Sequence, residues 1–110
     1  MKKILYGVCG IGNGHTQRQL PLIEHFSKDN QIVIFAYDAS LRFYSNHFKN
    51  NPMVTVIEVA VPFYVGNKDG IDFEATKKLP SNNKDYESIN NKATAFLQKV
   101  VGIPDVVITD

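Results

Sequence analysis

Apolar runs separated by polar, glycine-rich or helix-patterned stretches set the rhythm of the chain. Ile4-Leu5-Tyr6-Gly7-Val8-Cys9 is almost continuously hydrophobic and stops at Gly10, the pattern of a strand buried on both faces of a parallel sheet. Beyond the cluster Gly10, Gly12 and Gly14, the residues Leu20, Ile23 and Phe26, with Leu22 alongside, recur at helical spacing to about Lys28. Pro21 falls inside that helix and removes a backbone donor, so a kink or a tight first turn is expected there. Asp29-Asn30 ends the helix, and Gln31 to Tyr37 reads as a second buried strand that stops at Asp38. Ser40 is placed to cap a short helix, Leu41 to Phe48, after which Asn50-Asn51-Pro52 turns the chain into a third strand, Val54 to Val61.

Residues 62–83 break this alternation. Gly66-Asn67-Lys68-Asp69-Gly70 lies between the aromatic-containing stretches Phe63-Tyr64-Val65 and Ile71-Asp72-Phe73, which predicts a hairpin-like excursion or a mobile loop. A third helix is expected from about Asp85 to Val101, with Ile89, Ala93, Phe96, Leu97 and Val100 on one face and Gly102 at its end. Pro104 opens a fourth buried strand, Asp105 to Thr109, and Asp110 stands at its end. Strands and helices in alternation, with crossovers long enough to be right-handed, predict the α/β class: an open parallel sheet of about four strands with flanking helices.

Composition narrows the field. The sequence has 110 residues, enough for one domain and one core, and its 44% apolar and 21% charged content suits a globular interior. With a formal net charge of +1 and no basic run longer than Lys2-Lys3 or Lys77-Lys78, no nucleic-acid partner is expected. A single cysteine, Cys9, excludes an intrachain disulfide and reads as a small core residue. The longest apolar run, Ile32 to Tyr37, is far short of the ~20 residues that span a bilayer. Met1-Lys2-Lys3 leads directly into a strand, so no signal peptide is expected and the location expected is cytoplasmic. Spacing of His, Cys, Asp and Glu suggests no metal site, and no cofactor is expected.

Candidate chemistry concentrates between the first strand and the first helix. In a doubly wound sheet this turn presents backbone amides and the positive end of the helix dipole, a natural place for an anion. Gly10-x-Gly12 supplies two glycines of a dinucleotide fingerprint, and Asp38 stands where an acid would hold a ribose; position 15, where the third glycine belongs, is His15. No Gly-Lys-Ser/Thr follows, which argues against a phosphate-loop nucleotidase. His25 and His47 fall on helices without a ligand pattern and read as surface residues.

The stretch Gly10-Ile11-Gly12-Asn13-Gly14-His15-Thr16-Gln17-Arg18 resembles the G-x-G-x-G-H-x-x-R loop of the glycosyltransferase family 28-like proteins, whose relatives include the cell-wall lipid II synthase and the UDP-glucuronosyltransferases. The resemblance implies two facing Rossmann-like domains, the glycosyltransferase B fold, with the acceptor on the N-terminal half and most of the nucleotide sugar on the C-terminal half. Residues 1–110 would then be a single Rossmann-like acceptor domain, truncated and inactive without a donor-binding domain. His15 would be the general base that takes the proton of the acceptor hydroxyl, and Asp110 the carboxylate that fixes its ring, since both emerge at one sheet edge. Arg18, one helical turn on, would hold an acceptor carboxylate or phosphate, while Gly10, Gly12, Asn13 and Gly14 would let a diphosphate or sugar approach the backbone. Phe63, Tyr64 and Phe73 would stack on a sugar or a lipid-linked acceptor, or else pack back on their own domain. Partners expected are a nucleotide-sugar donor, UDP-linked in the resembling enzymes, and an acceptor of unknown identity. A lipid-linked acceptor would place the protein at the inner face of the membrane. Two rivals stand beside this reading: a nucleotide- or NAD-binding domain, and a non-catalytic partner subunit of a split glycosyltransferase. The fourth strand would leave a flat apolar edge, so a homodimer or a donor-domain partner is expected to cover it.

Overall fold

The computed structural model describes residues 1–61, 65–78 and 85–110. Its elements run β1 (Lys3–Val8), α1 (Gly14–Ser27), β2 (Gln31–Ala36), α2 (Asp38–His47), β3 (Val54–Glu58), β4 (Val65–Asn67), β5 (Gly70–Asp72), α3 (Phe73–Lys78), α4 (Tyr86–Val100) and β6 (Val106–Thr109). Four strands make one parallel sheet in the order β3-β2-β1-β6, flanked by helices in the Rossmann-like manner. The excursion contains the expected hairpin, β4 antiparallel to β5, with Asn67 Oδ1 accepting from the Asp69 amide (2.8 Å) in its turn. A short helix, α3, follows it, with the Asp72 side chain accepting from the Ala75 amide. Phe63 and Tyr64 lie outside the described residues.

β1 is the centre of the sheet, paired Lys3 to Gln31 through Val8 to Ala36 on one side and Ile4 to Val106 through Gly7 to Thr109 on the other. Its first residue is locked by reciprocal bonds, Lys3 N to Asp105 Oδ2 and Asp105 N to Lys3 O, both 2.8 Å. Alternation along the strand sends Ile4, Tyr6 and Val8 into the helix-covered face, where they meet Ile23 of α1 and Tyr44 of α2. Burying each such side chain contributes about 1.5–3 kcal/mol. α1 runs as one helix through Pro21; the carbonyl of Gln17, which loses its helical donor to that proline, belongs to an exposed residue.

Two expectations change. Ser40 lies inside α2, at its third residue, because the helix starts at Asp38. Its buried hydroxyl accepts from the Tyr37 amide (3.3 Å) and lies within donating distance of the Val8 and Tyr37 carbonyls, which ties α2 to the end of β1. β6 is not buried on both faces: Val107 is 60% exposed, because β6 is an edge strand and α4 lies over β3 at the far side of the sheet. α4 is held there by Asn90, whose side-chain amide pairs with both backbone groups of Ala60 (2.8 and 3.2 Å).

Thr16 is fully buried, and its hydroxyl has no hydrogen-bond partner among the described residues. Thr16→Val removes the orphaned group at equal shape, so the variant should be about 1 kcal/mol more stable, read as a rise in melting temperature; a fall would mean that the hydroxyl has a partner. Tyr44 is also fully buried, and burial first, then the neighbouring Tyr6 and Asp110, push its phenol above the ordinary 10.0. The unfolded chain therefore loses this proton before the folded one. The associated stability is intact below about pH 10 and is lost as pH rises beyond it. Urea titrations between neutral and strongly alkaline pH should show that decline, and Tyr44→Phe should flatten it.

Candidate functional site

The site forms where β1, β2 and β6 end on the same edge of the sheet. After β1 the chain must pass close to the turn that opens α2, and Gly10 makes this possible: a Cβ there would sit 1.8 Å from the Tyr37 carbonyl oxygen. The Gly10 carbonyl in turn accepts from the Ala39 amide (3.3 Å). Gly12 adopts a left-handed φ of 66°, which turns the loop outward before α1. At the start of α1 the Asn13 side chain makes no cap, so the amides of Gly14, His15 and Thr16 have no acceptor among the described residues. Gln17 N is the first to be satisfied, by Asn13 O at 3.0 Å.

His15 and Asp110 meet here. Asp110 is fixed through its backbone, since its amide donates to Gly7 O (3.0 Å) and its carbonyl accepts from Cys9 N (3.2 Å), extending the β1 and β6 pairing by one step. Its Oδ2 lies 2.8 Å from His15 Nδ1, and the two side chains are 23% and 36% exposed. Arg18, one turn along α1, brings an Nη to 3.2 Å from the same Nδ1. These contacts exclude each other as hydrogen bonds. A carboxylate has no proton to give, so Nδ1 must donate to Asp110, and a protonated Nδ1 has no lone pair for Arg18. The shorter, charge-assisted bond prevails. In the neutral ring Nε2 is then the bare nitrogen, and the Arg18 guanidinium is a positive group beside the ring.

Between these loops is an open cleft of 440 Å³ lined by Gly7, Cys9, His15, Phe35, Tyr37, Val59, Thr109 and Asp110 among others. Its walls are mostly apolar, with the His15 and Asp110 pair at one side. Cys9, read from the sequence as a core residue, instead lines this cleft and accepts a hydrogen bond from the Tyr37 hydroxyl (3.2 Å). Burial, then that bond to Cys9, raises the Tyr37 phenol above its ordinary 10.0, so the hydroxyl stays protonated at neutral pH. A second cleft of 390 Å³, between α4 and β3, is lined by Val56, Ile57, Ile89, Ala93 and Phe96, with Glu58 and Lys92. None of the residues lining it belongs to the loop at the sheet edge.

His15 and Arg18, one turn apart on α1, are thus brought together with Asp110, 95 positions from His15, and Gly12, Asn13 and Gly14 are exposed beside them. Gly10 is buried behind the loop against Tyr37. Phe35, Tyr37, Val59 and Thr109 were not singled out as site residues; their only sequence signal is position at the carboxyl end of a strand, where such sheets bind ligands. His25 and His47 are on the surface, His47 paired with Glu24 at 2.7 Å across α1 and α2. Among the described residues, no helix is long and apolar enough to cross a membrane.

Gly10→Ala should separate the two loops and lower stability by about 3 kcal/mol or more in a urea titration. An Ala variant as stable as the parent would show that the loop yields freely.

Known proteins bear on this geometry at one level. No curated protein and no solved structure matches the sequence. Residues 2–110 match the model of glycosyl transferase family 1, and the chain belongs to this family.

Proposed function

We propose that this chain is the acceptor-binding domain of a glycosyltransferase that moves a sugar from a nucleotide-sugar donor to an acceptor hydroxyl with inversion. The observation that carries the reading is the 2.8 Å contact of His15 Nδ1 with Asp110 Oδ2, which leaves Nε2 as the ring nitrogen available to take a proton, on a residue that lines the cleft. Family membership supports glycosyl transfer in general, and the likeness of the Gly10 to Arg18 loop to the family 28-like enzymes supports the rest.

In this reaction the acceptor oxygen gives its proton to His15 Nε2 while it bonds to the anomeric carbon of the donor sugar. The bond from that carbon to the phosphate oxygen breaks, and its electron pair leaves with the nucleotide diphosphate. Attack opposite the departing group inverts the configuration. The imidazolium that forms is stabilised by Asp110, which also keeps Nδ1 as the protonated nitrogen. Phe35, Val59 and Tyr37 offer an apolar wall to the acceptor, and Arg18 with the open amides of α1 offers positive charge to an acceptor carboxylate or phosphate. Most of the nucleotide is assigned to a second domain, on this chain or another, so the 110 residues alone are expected to transfer no sugar. The expected place of action is the cytoplasm, at the inner face of the membrane if the acceptor is lipid-linked. The dinucleotide-binding alternative loses its footing at position 15, where a histidine turned toward Asp110 replaces the glycine that fingerprint needs.

Transfer from a panel of UDP- and dTDP-sugars, with the donor-binding half present, tests the reading. His15→Ala should lower the rate about 10²–10⁴-fold with folding intact, and Asp110→Asn should lower it by less. Unchanged turnover in His15→Ala would exclude the base.

A further inference from the structure

We propose that Tyr44, assisted by Tyr6, is a positioning residue for the base: its buried hydroxyl fixes the rotation of α1 and so holds His15 in register with Asp110. The proposal rests on His15 acting as the base. Tyr44 comes from α2 and is fully buried, and its hydroxyl donates to the main-chain carbonyl of Thr16 at 2.7 Å. Tyr6 comes from the central strand, is equally buried, and its hydroxyl donates to Gln19 Oε1.

The spacing gives these bonds their meaning. Thr16 follows His15 and Gln19 follows Arg18, so each tyrosine grips the residue next to one of the two site residues on α1. On a helix of 3.6 residues per turn, positions i and i+3 share a face. The pair Thr16 and Gln19 therefore forms the stripe that the tyrosines hold, and His15 and Arg18 form the adjacent stripe, from which His15 lines the cleft. A small rotation of α1 about its axis would carry both stripes together and move the His15 ring away from Asp110, which is anchored separately on β6 by Gly7 and Cys9.

Little else restrains this end of the helix. Asn13 provides no side-chain cap, Gly12 and Gly14 flank it with open space around them, and Pro21 removes the amide that would have bonded to the Gln17 carbonyl. Thr16 itself contributes a hydroxyl that bonds to nothing described. Among the described residues the tyrosine hydroxyls thus stand with the His15–Asp110 contact as side-chain ties between the first turns of α1 and the neighbouring elements. Burial raises both phenols, so both remain donors throughout the neutral range.

The test follows the His15 Nδ1 proton by NMR in the isolated chain, together with kinetics wherever transfer is measured. In Tyr44→Phe that proton should exchange with water about fivefold faster and its resonance should move, with kcat down about tenfold and KM within about twofold. Tyr6→Phe, the second variant should Tyr44→Phe not fold, should shift the same resonance in the same direction. Val101→Ala, a truncation of a buried residue that follows α4 and lies outside the core cluster of Tyr6, Tyr44 and Ile23, controls for lost stability and should leave the resonance in place. An unmoved His15 resonance in a folded Tyr44→Phe, or an equal shift in Val101→Ala, would overturn the proposal. The base reading fails separately: full activity in His15→Ala removes it even where Tyr44→Phe has moved the resonance.

Discussion

β1 is hydrogen-bonded along both edges, and that double pairing places everything else. Its parallel register with β2 puts the Gly10 turn and the Tyr37 turn side by side, and its register with β6 carries Asp110 to the same edge. A slip of one residue in either pairing would send every side chain of that strand to the other face. Register is held at both ends of the β1 and β6 ladder, by Lys3 with Asp105 and by Asp110 with Gly7 and Cys9. The dyad is therefore a consequence of sheet geometry: one partner comes at the end of β6 and the other at the start of the helix that follows β1.

Much of this was legible in the sequence. Apolar runs at Ile4 to Cys9, Gln31 to Tyr37 and Val54 to Val61, separated by a helical stripe and a short capped segment, identify parallel strands joined by crossovers. Glycines before His15 mark the turn where such sheets bind ligands. What the pattern did not reveal depends on contacts between distant positions. Val107 belongs to an apolar run like that of the buried strands, yet it is exposed because β6 lies at the sheet edge and α4 covers β3. Cys9 looked like core and instead faces the cleft with the Tyr37 hydroxyl, a pairing between two loops that no local spacing encodes. Nothing in the sequence separates Tyr44 from its aromatic neighbours Phe43 and Phe48. Its hydroxyl matters because of where the Thr16 carbonyl falls, and that is settled only by helix packing.

The cleft joins an apolar surface to a small polar corner, the usual division of labour in a small-molecule site. The apolar part provides contact area. The polar part provides one nitrogen able to accept a proton, one carboxylate to hold the ring, and one guanidinium with helix-start amides for a negative group. Membership of glycosyl transferase family 1 supports glycosyl transfer in general terms, and in the proposed reading the bond from Nδ1 to Asp110 decides which nitrogen would face an acceptor.

That assignment is the central claim, and one spectrum reads it. A multiple-bond ¹⁵N–¹H correlation of the chain labelled at histidine distinguishes the two neutral forms of the His15 ring. The account predicts the proton on Nδ1, bonded to Asp110, and an unprotonated Nε2. A proton on Nε2, with Nδ1 bare and accepting from Arg18, would contradict it.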